Sequence, residues 1–209
     1  VHDKQKTTGW SDKLEHAEGA RARKRREIMD RLSQAAIQLF IDRGVEQTTI
    51  DDITESAGIA RRTFFNYFES KEDVLLAHQG SGFSAALKPA ILAHSAQEKP
   101  LVVARQVLLD LASKYETSES IAIDKLLTST DALRRRKEAA FIELETLVFD
   151  AFVEMWPAPD RRGGLRIIAM VVIGTLRIAL ENWRKAAGAS SLRRCIKQGF
   201  QSMEAEISW

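Results

Sequence analysis

The chain has 209 residues, 44% of them hydrophobic, and a formal net charge of +2 at pH 7. That length can bury one or two real cores. The charge is too small to name a partner by itself, and residues 1–70 balance 12 Lys+Arg against 12 Asp+Glu, so a nucleic-acid reading must rest on where charges sit.

In chain order, residues 1–20 (VHDKQKTTGWSDKLEHAEGA) show no sustained periodicity and are expected to form a mobile arm. The sequence begins at Val1 without Met, so Val1 need not be the native start. No apolar signal region is visible, and a cytoplasmic location is expected. RARKRR at 21–26 then places five cations in six positions. Ile28, Leu32, Ala36, Leu39 and Phe40 follow at helical spacing and predict an amphipathic helix stopped by Gly44. Thr49, with Asp52 three residues on, forms a capping box for a short helix carrying Ile50, Ile53 and Ala57. Gly58 marks a tight turn. A further helix is predicted over Ala60–Phe68, and Ser70 with Asp73 caps a fourth through Val74, Leu75 and Leu76. Two short helices joined by a glycine turn make a helix-turn-helix.

The rest reads as helix, with Pro89, Pro100, Pro157 and Pro159 expected at helix boundaries. Leu101–Tyr115 is one segment. Asp131–Met155 is a longer one, with Phe141, Leu144, Val148, Ala151 and Met155 on one face. Leu165–Trp183 is apolar almost all round, which predicts burial on more than one side. Its longest charge-free run is ten residues, between Arg166 and Arg177, too short to span a bilayer. Gly188 stops that helix, and Ser191 caps a last one carrying Leu192, Ile196, Gly199, Met203 and Ile207. No strand alternation and no internal repeat is found. The fold class is all-α.

On Ala60–Phe68, the residues Ala60, Phe64 and Phe68 share a face expected to meet Ile53 and Ala57. Arg61 and Phe65 are i, i+4 partners, with Arg62 and Asn66 beside them on the outward face. Guanidinium, amide and ring are the groups that fork onto guanine, bond adenine or press on a thymine methyl. A solvated face with an incidental aromatic is the bland alternative. Cations at a helix N-terminus oppose the macrodipole by roughly 0.3–1 kcal/mol each. Arg23, Arg25 and Arg26, read as such a terminus, point to an external anion: a phosphate backbone or a minor groove. A solubilising tail is the alternative.

The stretch LFIDRGVEQTTIDDITESAGIARRTFFNYFESKEDVL closely resembles the N-terminal DNA-binding domain of the TetR (TetR/AcrR) family of bacterial transcriptional regulators. The likeness runs through Gly44, the Thr48-Thr49 pair, Ala57-Gly58, Thr63, Tyr67-Phe68 and Ser70-Lys71. It implies a three-helix DNA-binding domain, here 21–77, followed by an all-helical effector-binding and dimerisation domain, 78–209. By position it implies that Thr49 meets a phosphate and that Arg61 and Arg62 read bases. Thr63, Asn66 and Tyr67 would touch phosphates or bases, and Lys71 would anchor to the backbone at a helix N-terminus. Position 65 is often Tyr in the family; Phe65 lacks the hydroxyl and can give only an apolar or stacking contact. The ALRRRKEAAFIELE and RRGGLRIIAMVVIGTLRIALENW patterns look similar to an actinobacterial branch whose regulators include sensors of acyl-CoA and other lipid-like molecules.

The implied partners are a double-stranded, palindromic operator, a small hydrophobic or amphipathic effector, and a second copy through the last two helices, whose apolar surface exceeds one partner and whose Gly199 permits close approach. No cofactor, metal or membrane partner is expected. In the second domain Arg105 and Arg177 lie in apolar stretches and need partners: Glu143, Glu145 or Glu181, or an anionic ligand head. Phe141, Phe152, Trp156 and Trp183 line a pocket or pack a core. Cys195, the single cysteine, excludes an internal disulfide and reads as a packed side chain. No enzyme is expected: there is no Gly-rich phosphate loop, HExxH, CxxC or G-x-S-x-G, and the four His are scattered. The rival readings are a helical lipid-binding protein with an idle DNA-binding domain, and an activator of the same fold.

Overall fold

The computed structural model describes residues 8–207. Every regular element among them is helical: nine α-helices and one 3₁₀ turn, with no strand. The chain separates into two compact units, one ending at Leu75 and one beginning at Leu76.

The first unit contains α1 (Thr8–Arg43), α2 (Ile50–Ala57), α3 (Arg61–Phe64) and the start of α4 (Lys71–Leu92). Helix α1 corrects the expected arm over residues 8–20; residues 1–7 lie outside the described residues. Lys13, Leu14, Glu15, Ala17 and Ala20 are strong helix formers, and a helix does not require an apolar stripe to continue. RARKRR therefore sits inside α1, not at its expected N-terminus, so its cations do not oppose the helix macrodipole there and call for no external anion on that ground.

Gly44 ends α1 at φ +84°, its amide donating to the Phe40 carbonyl at 2.9 Å. The loop that follows is tied by Thr48 Oγ1 donating to the Gly44 carbonyl at 2.8 Å. Thr49 caps α2 as expected: its hydroxyl accepts the Asp52 amide at 3.1 Å, and its own amide donates to Asp52 Oδ2 at 2.8 Å. Gly58 takes φ +60° and closes the turn. Ser70 and Asp73 cap α4 reciprocally, with Ser70 N on Asp73 Oδ2 at 2.8 Å and Asp73 N on Ser70 Oγ at 3.3 Å. Leu32, Ala36, Ile37 and Phe40 of α1 are buried, as are Ile53, Ala57, Phe64, Phe68, Val74 and Leu75. Ala60, expected in this core, is exposed, because it is the extended residue that precedes α3.

The second unit continues with α5 (Pro100–Tyr115), α6 (Ser118–Leu126) and α7 (Asp131–Met155), then a 3₁₀ turn (Pro159–Arg161), α8 (Arg162–Ala186) and α9 (Leu192–Ile207). Helix α8 packs against α7, α9 and α5. Its Leu165, Ala169, Val172, Ile173, Leu176 and Ala179 are buried in the core, while Ile167, Met170 and Ile178 are exposed. By length and composition α8 could cross a bilayer, and 39% of its apolar window is buried within the unit. Pro89 does not bound a helix, contrary to expectation: it lies inside α4 between the buried Leu87 and Ile91, which hold the turn against the lost backbone bond. Helix α8 ends one residue before the expected glycine, on Ala187 at φ +47°, with Gly188 at +93° after it. Gly199 makes a close approach within the chain. A Cβ there would lie 3.0 Å from Thr175 Cγ2, so the close approach is of α9 to α8 within one chain.

Candidate functional site

Helix α3 is one turn, shorter than the expected Ala60–Phe68. Beyond it the backbone tightens, with Asn66 N on the Thr63 carbonyl at 3.1 Å and Tyr67 N on the Phe64 carbonyl at 2.9 Å. The turn still separates two faces. Phe64 and Phe68 go inward, their rings 5.5 Å apart. Arg61, Arg62, Phe65 and Asn66 are exposed, Phe65 by 49%, while Thr63 and Tyr67 are half-buried. The Arg61 guanidinium lies 5.8 Å from the Phe65 ring centroid and pairs with Asp51 of α2. Arg25 of α1 lies over the Tyr67 ring at 5.4 Å, which brings one residue of RARKRR against the turn after α3. Arg23 pairs with Glu27 at 3.9 Å, one helical turn on, and Arg26 is exposed. Such a face offers forked donors, an amide and a ring edge together.

Two of the expected contacts serve the fold. Lys71 turns inward: its Nζ donates to the carbonyls of Val45 at 2.6 Å and Thr48 at 2.8 Å, so it ties the loop after α1 to the start of α4. Thr49 spends its hydroxyl on the α2 cap, and the hydrogen bonds from that hydroxyl and from the Thr49 amide hold the Asp52 carboxyl below its ordinary pKa, helped by Arg43 at 3.6 Å. Arg31, not singled out in the sequence, donates from Nη2 to the Ala57 carbonyl and stands 3.3 Å from where a Gly58 Cβ would be. Asp51 was missed as well; it lies ten residues before Arg61, a spacing that only the glycine turn brings together.

In the second unit a cavity of about 870 Å³ opens among α4, α5, α6, α7 and α8. Of the expected pocket residues, Phe141 and Trp183 line it. Phe152 does not; it is fully buried against Trp156, with ring centroids 5.6 Å apart. Arg105 pairs with Glu204 of α9 at 2.9 Å, and Arg177 pairs with Glu138 while lying 5.3 Å over the Phe141 ring. Both arginines are therefore in salt bridges, with partners other than the expected Glu143, Glu145 and Glu181. Helix positions explain the change: Glu143 is exposed on α7, whereas Glu138 is one turn nearer the N-terminus on the side that meets α8. Cys195 is buried, as expected.

Helix-turn-helix followed by an all-helical unit with an internal cavity defines a class of two-part helical proteins. Residues 32–78 match the family model "Bacterial regulatory proteins, tetR family". The first unit is thus similar to that family from residue 32 onward. Among relatives, the transcriptional regulator TcmR of Streptomyces glaucescens is 40% identical over 83 residues, which are 40% of this chain and 36% of that protein. The transcriptional repressor KstR2 of Mycolicibacterium smegmatis is 44% identical over 46 residues, 22% of each chain. The match therefore spans about a third of the first relative's length and less of the second. Over most of its length the fold resembles the crystal structure of Thermus thermophilus FadR, a repressor in complex with lauroyl-CoA. The TM-score is 0.57 at 23% identity, covering 83% of this chain and 91% of that one. That likeness is one of fold.

Proposed function

We propose that the protein is a dimeric, ligand-responsive transcriptional repressor that binds a palindromic DNA operator through α3 and its following turn. The observation that carries this reading is the outward set Arg61, Arg62, Phe65 and Asn66 on a turn whose inner face is fixed by Phe64 and Phe68. A helix that only packs has no use for two exposed arginines beside an exposed ring. Arg25 and Arg26 add backbone charge from α1, and Thr63 and Tyr67 flank the reading turn. The repressor sign is supported by KstR2, whose name gives it as a repressor. A second copy docks on the uncovered Ile167, Met170 and Ile178 of α8, and two-fold symmetry then sets the recognition turns about 34 Å apart, one helical turn of DNA.

The effector occupies the cavity of the second unit and releases the operator. Helix α4 carries Val74 and Leu75 in the first core and lends Leu76 and Phe83 to the cavity wall, which makes it the lever. An effector moves the equilibrium only by binding one spacing better than the other: about 5.5 kcal/mol takes it from 1:99 to 99:1. The test is selection of bound duplexes from a random DNA pool, with Arg61→Ala/Arg62→Ala beside the wild type. Enrichment of a palindrome, lost in the variant, supports the reading. No enrichment at low salt overturns it in favour of a ligand-binding protein with an idle first unit.

A further inference from the structure

The cavity wall contains a buried cation. Lys137 of α7 is 4% exposed and Asp124 of α6 is 2% exposed; the ammonium donates to Asp124 Oδ1, and both residues line the cavity. Arg184 of α8 approaches the other oxygen, Oδ2, at 3.4 Å. Burial pushes the Lys137 ammonium below its ordinary pKa, and the Asp124 carboxylate opposes that shift. An ammonium has three N–H donors. Asp124 is the acceptor for one of them, and no other acceptor for Lys137 is found among the described residues. The protein supplies one acceptor to this buried ammonium, and the cavity it lines is walled by Leu144, Leu147, Leu176 and Leu180, with Ser84, Thr117 and Ser120 among its polar lining.

The local charge count has the same sign. Lys137 and Arg184 both face Asp124, so this buried cluster carries one positive charge in excess. Glu119, Arg136 and Glu143 also border the cavity, but all three are exposed, where solvent screens them.

Resting on the effector-cavity reading above, we propose that Lys137 is the headgroup reader of that cavity, and that it selects an amphipathic carboxylate with an unbranched or lightly branched apolar body. The apolar walls take the hydrocarbon, and the carboxylate supplies the acceptors that Lys137 lacks. Asp124 keeps Arg184, so neither buried charge is left alone. A neutral alcohol of the same length fills the walls equally but satisfies the ammonium less well, because it offers one hydroxyl dipole where the carboxylate offers two oxygens and a full opposite charge.

The experiment titrates the full-length protein with dodecanoate and with 1-dodecanol, both below their aggregation limits, by calorimetry. The wild type is expected to prefer dodecanoate by about tenfold or more, the usual size of a charge-assisted hydrogen bond. In Lys137→Met/Asp124→Asn, which removes the buried pair together, the preference disappears while dodecanol binding stays within about threefold. Lys137→Arg, which keeps the charge, retains the preference. An equal response to the two probes in the wild type, or an unchanged preference in the double variant, overturns the assignment of Lys137 while leaving the cavity reading in place. Binding of neither probe overturns both.

Discussion

The carboxylate of Glu116 accepts the indole N–H of Trp183 at 2.7 Å and, with both oxygens, the first amide of α9, Leu192 N, at 2.9 and 3.0 Å. One side chain just beyond α5 thus fixes the end of α8 and the beginning of α9, and Trp183 and Leu192 both line the cavity. Charged acceptors at a helix N-terminus are stabilising, and each charge-assisted bond contributes about 1.5–3 kcal/mol. Glu116→Ala is expected to destabilise the protein by about 2–4 kcal/mol in urea unfolding. Glu116→Gln, which keeps one acceptor oxygen for the indole or the amide, is expected to lose less than half of that. Loss of equal size in both variants would show that the carboxylate charge, and not its geometry, holds the α8–α9 corner.

Lys71 separates a fold role from a DNA role. Its ammonium is committed to the Val45 and Thr48 carbonyls. Lys71→Met keeps the aliphatic stem and removes both bonds, so a loss of about 2–3 kcal/mol in stability is expected. Were Lys71 a phosphate contact, the logarithmic salt dependence of operator binding would fall by about one unit in the variant. The expected slope is unchanged, measured between 50 and 200 mM salt, whereas Arg62→Ala lowers it or relaxes sequence preference.

The sequence carried the first unit well because its signals are local. Thr49 with Asp52, the positive φ at Gly58, and Ser70 with Asp73 each specify a boundary within three or four residues, and each forms as expected. The exposed Arg61, Arg62, Phe65 and Asn66 followed from the same spacing. What was not legible depended on distance. That Lys71 reaches Val45 and Thr48, or that Arg105 meets Glu204 rather than a nearer acid, is decided by tertiary packing across 23 to 99 positions. Helix α6 was not distinguished because it is short and Thr117–Ser120 gives a weaker capping signal than a Glu would. Lys137 did leave a signal: it stands four residues after Leu133 and four before Phe141, both buried, and so belongs on the inner face of α7. The RRRK run hid it by reading as one solvated block.

Gly199 and Thr175 form a second tight relationship. A Cβ on Gly199 would stand 3.0 Å from Thr175 Cγ2, and Thr175 cannot swing away freely because its Oγ1 donates to the Val171 carbonyl at 2.8 Å. Gly199→Ala gains about 1 kcal/mol of helix propensity but meets this contact, and overpacking typically costs about 1–3 kcal/mol. A net loss of about 1 kcal/mol is expected. Thr175→Ser deletes Cγ2 and keeps the hydroxyl, so in that background Gly199→Ala is expected to become neutral or stabilising. A double-mutant cycle by thermal unfolding checks it: additive effects would place the strain elsewhere.

The cap at Thr49 has a pH signature. Asp52 receives the hydrogen bonds of the Thr49 hydroxyl and amide, and its folded pKa lies below its ordinary value. A depressed carboxylate binds its proton less readily in the folded than in the unfolded chain. Its contribution to stability is therefore fully present above the ordinary carboxylate range and is lost as pH falls through the folded pKa. Asp52→Asn is expected to unfold more easily than the wild type at pH 7, with the difference shrinking as pH falls into and below the ordinary carboxylate range. Thr49→Ala removes the reciprocal partner and costs about 1 kcal/mol at pH 7. In that background Asp52 loses its largest lowering contact, the hydroxyl, and keeps the amide of residue 49, so the pH dependence that Asp52→Asn removes should shrink without vanishing. The readout is the urea midpoint of the four proteins (wild type, both single variants and the double) from pH 7 to pH 3. A pH dependence undiminished in Thr49→Ala would mean that the amide of residue 49 and Arg43, 3.6 Å from Asp52, and not the hydroxyl, set the carboxylate's pKa.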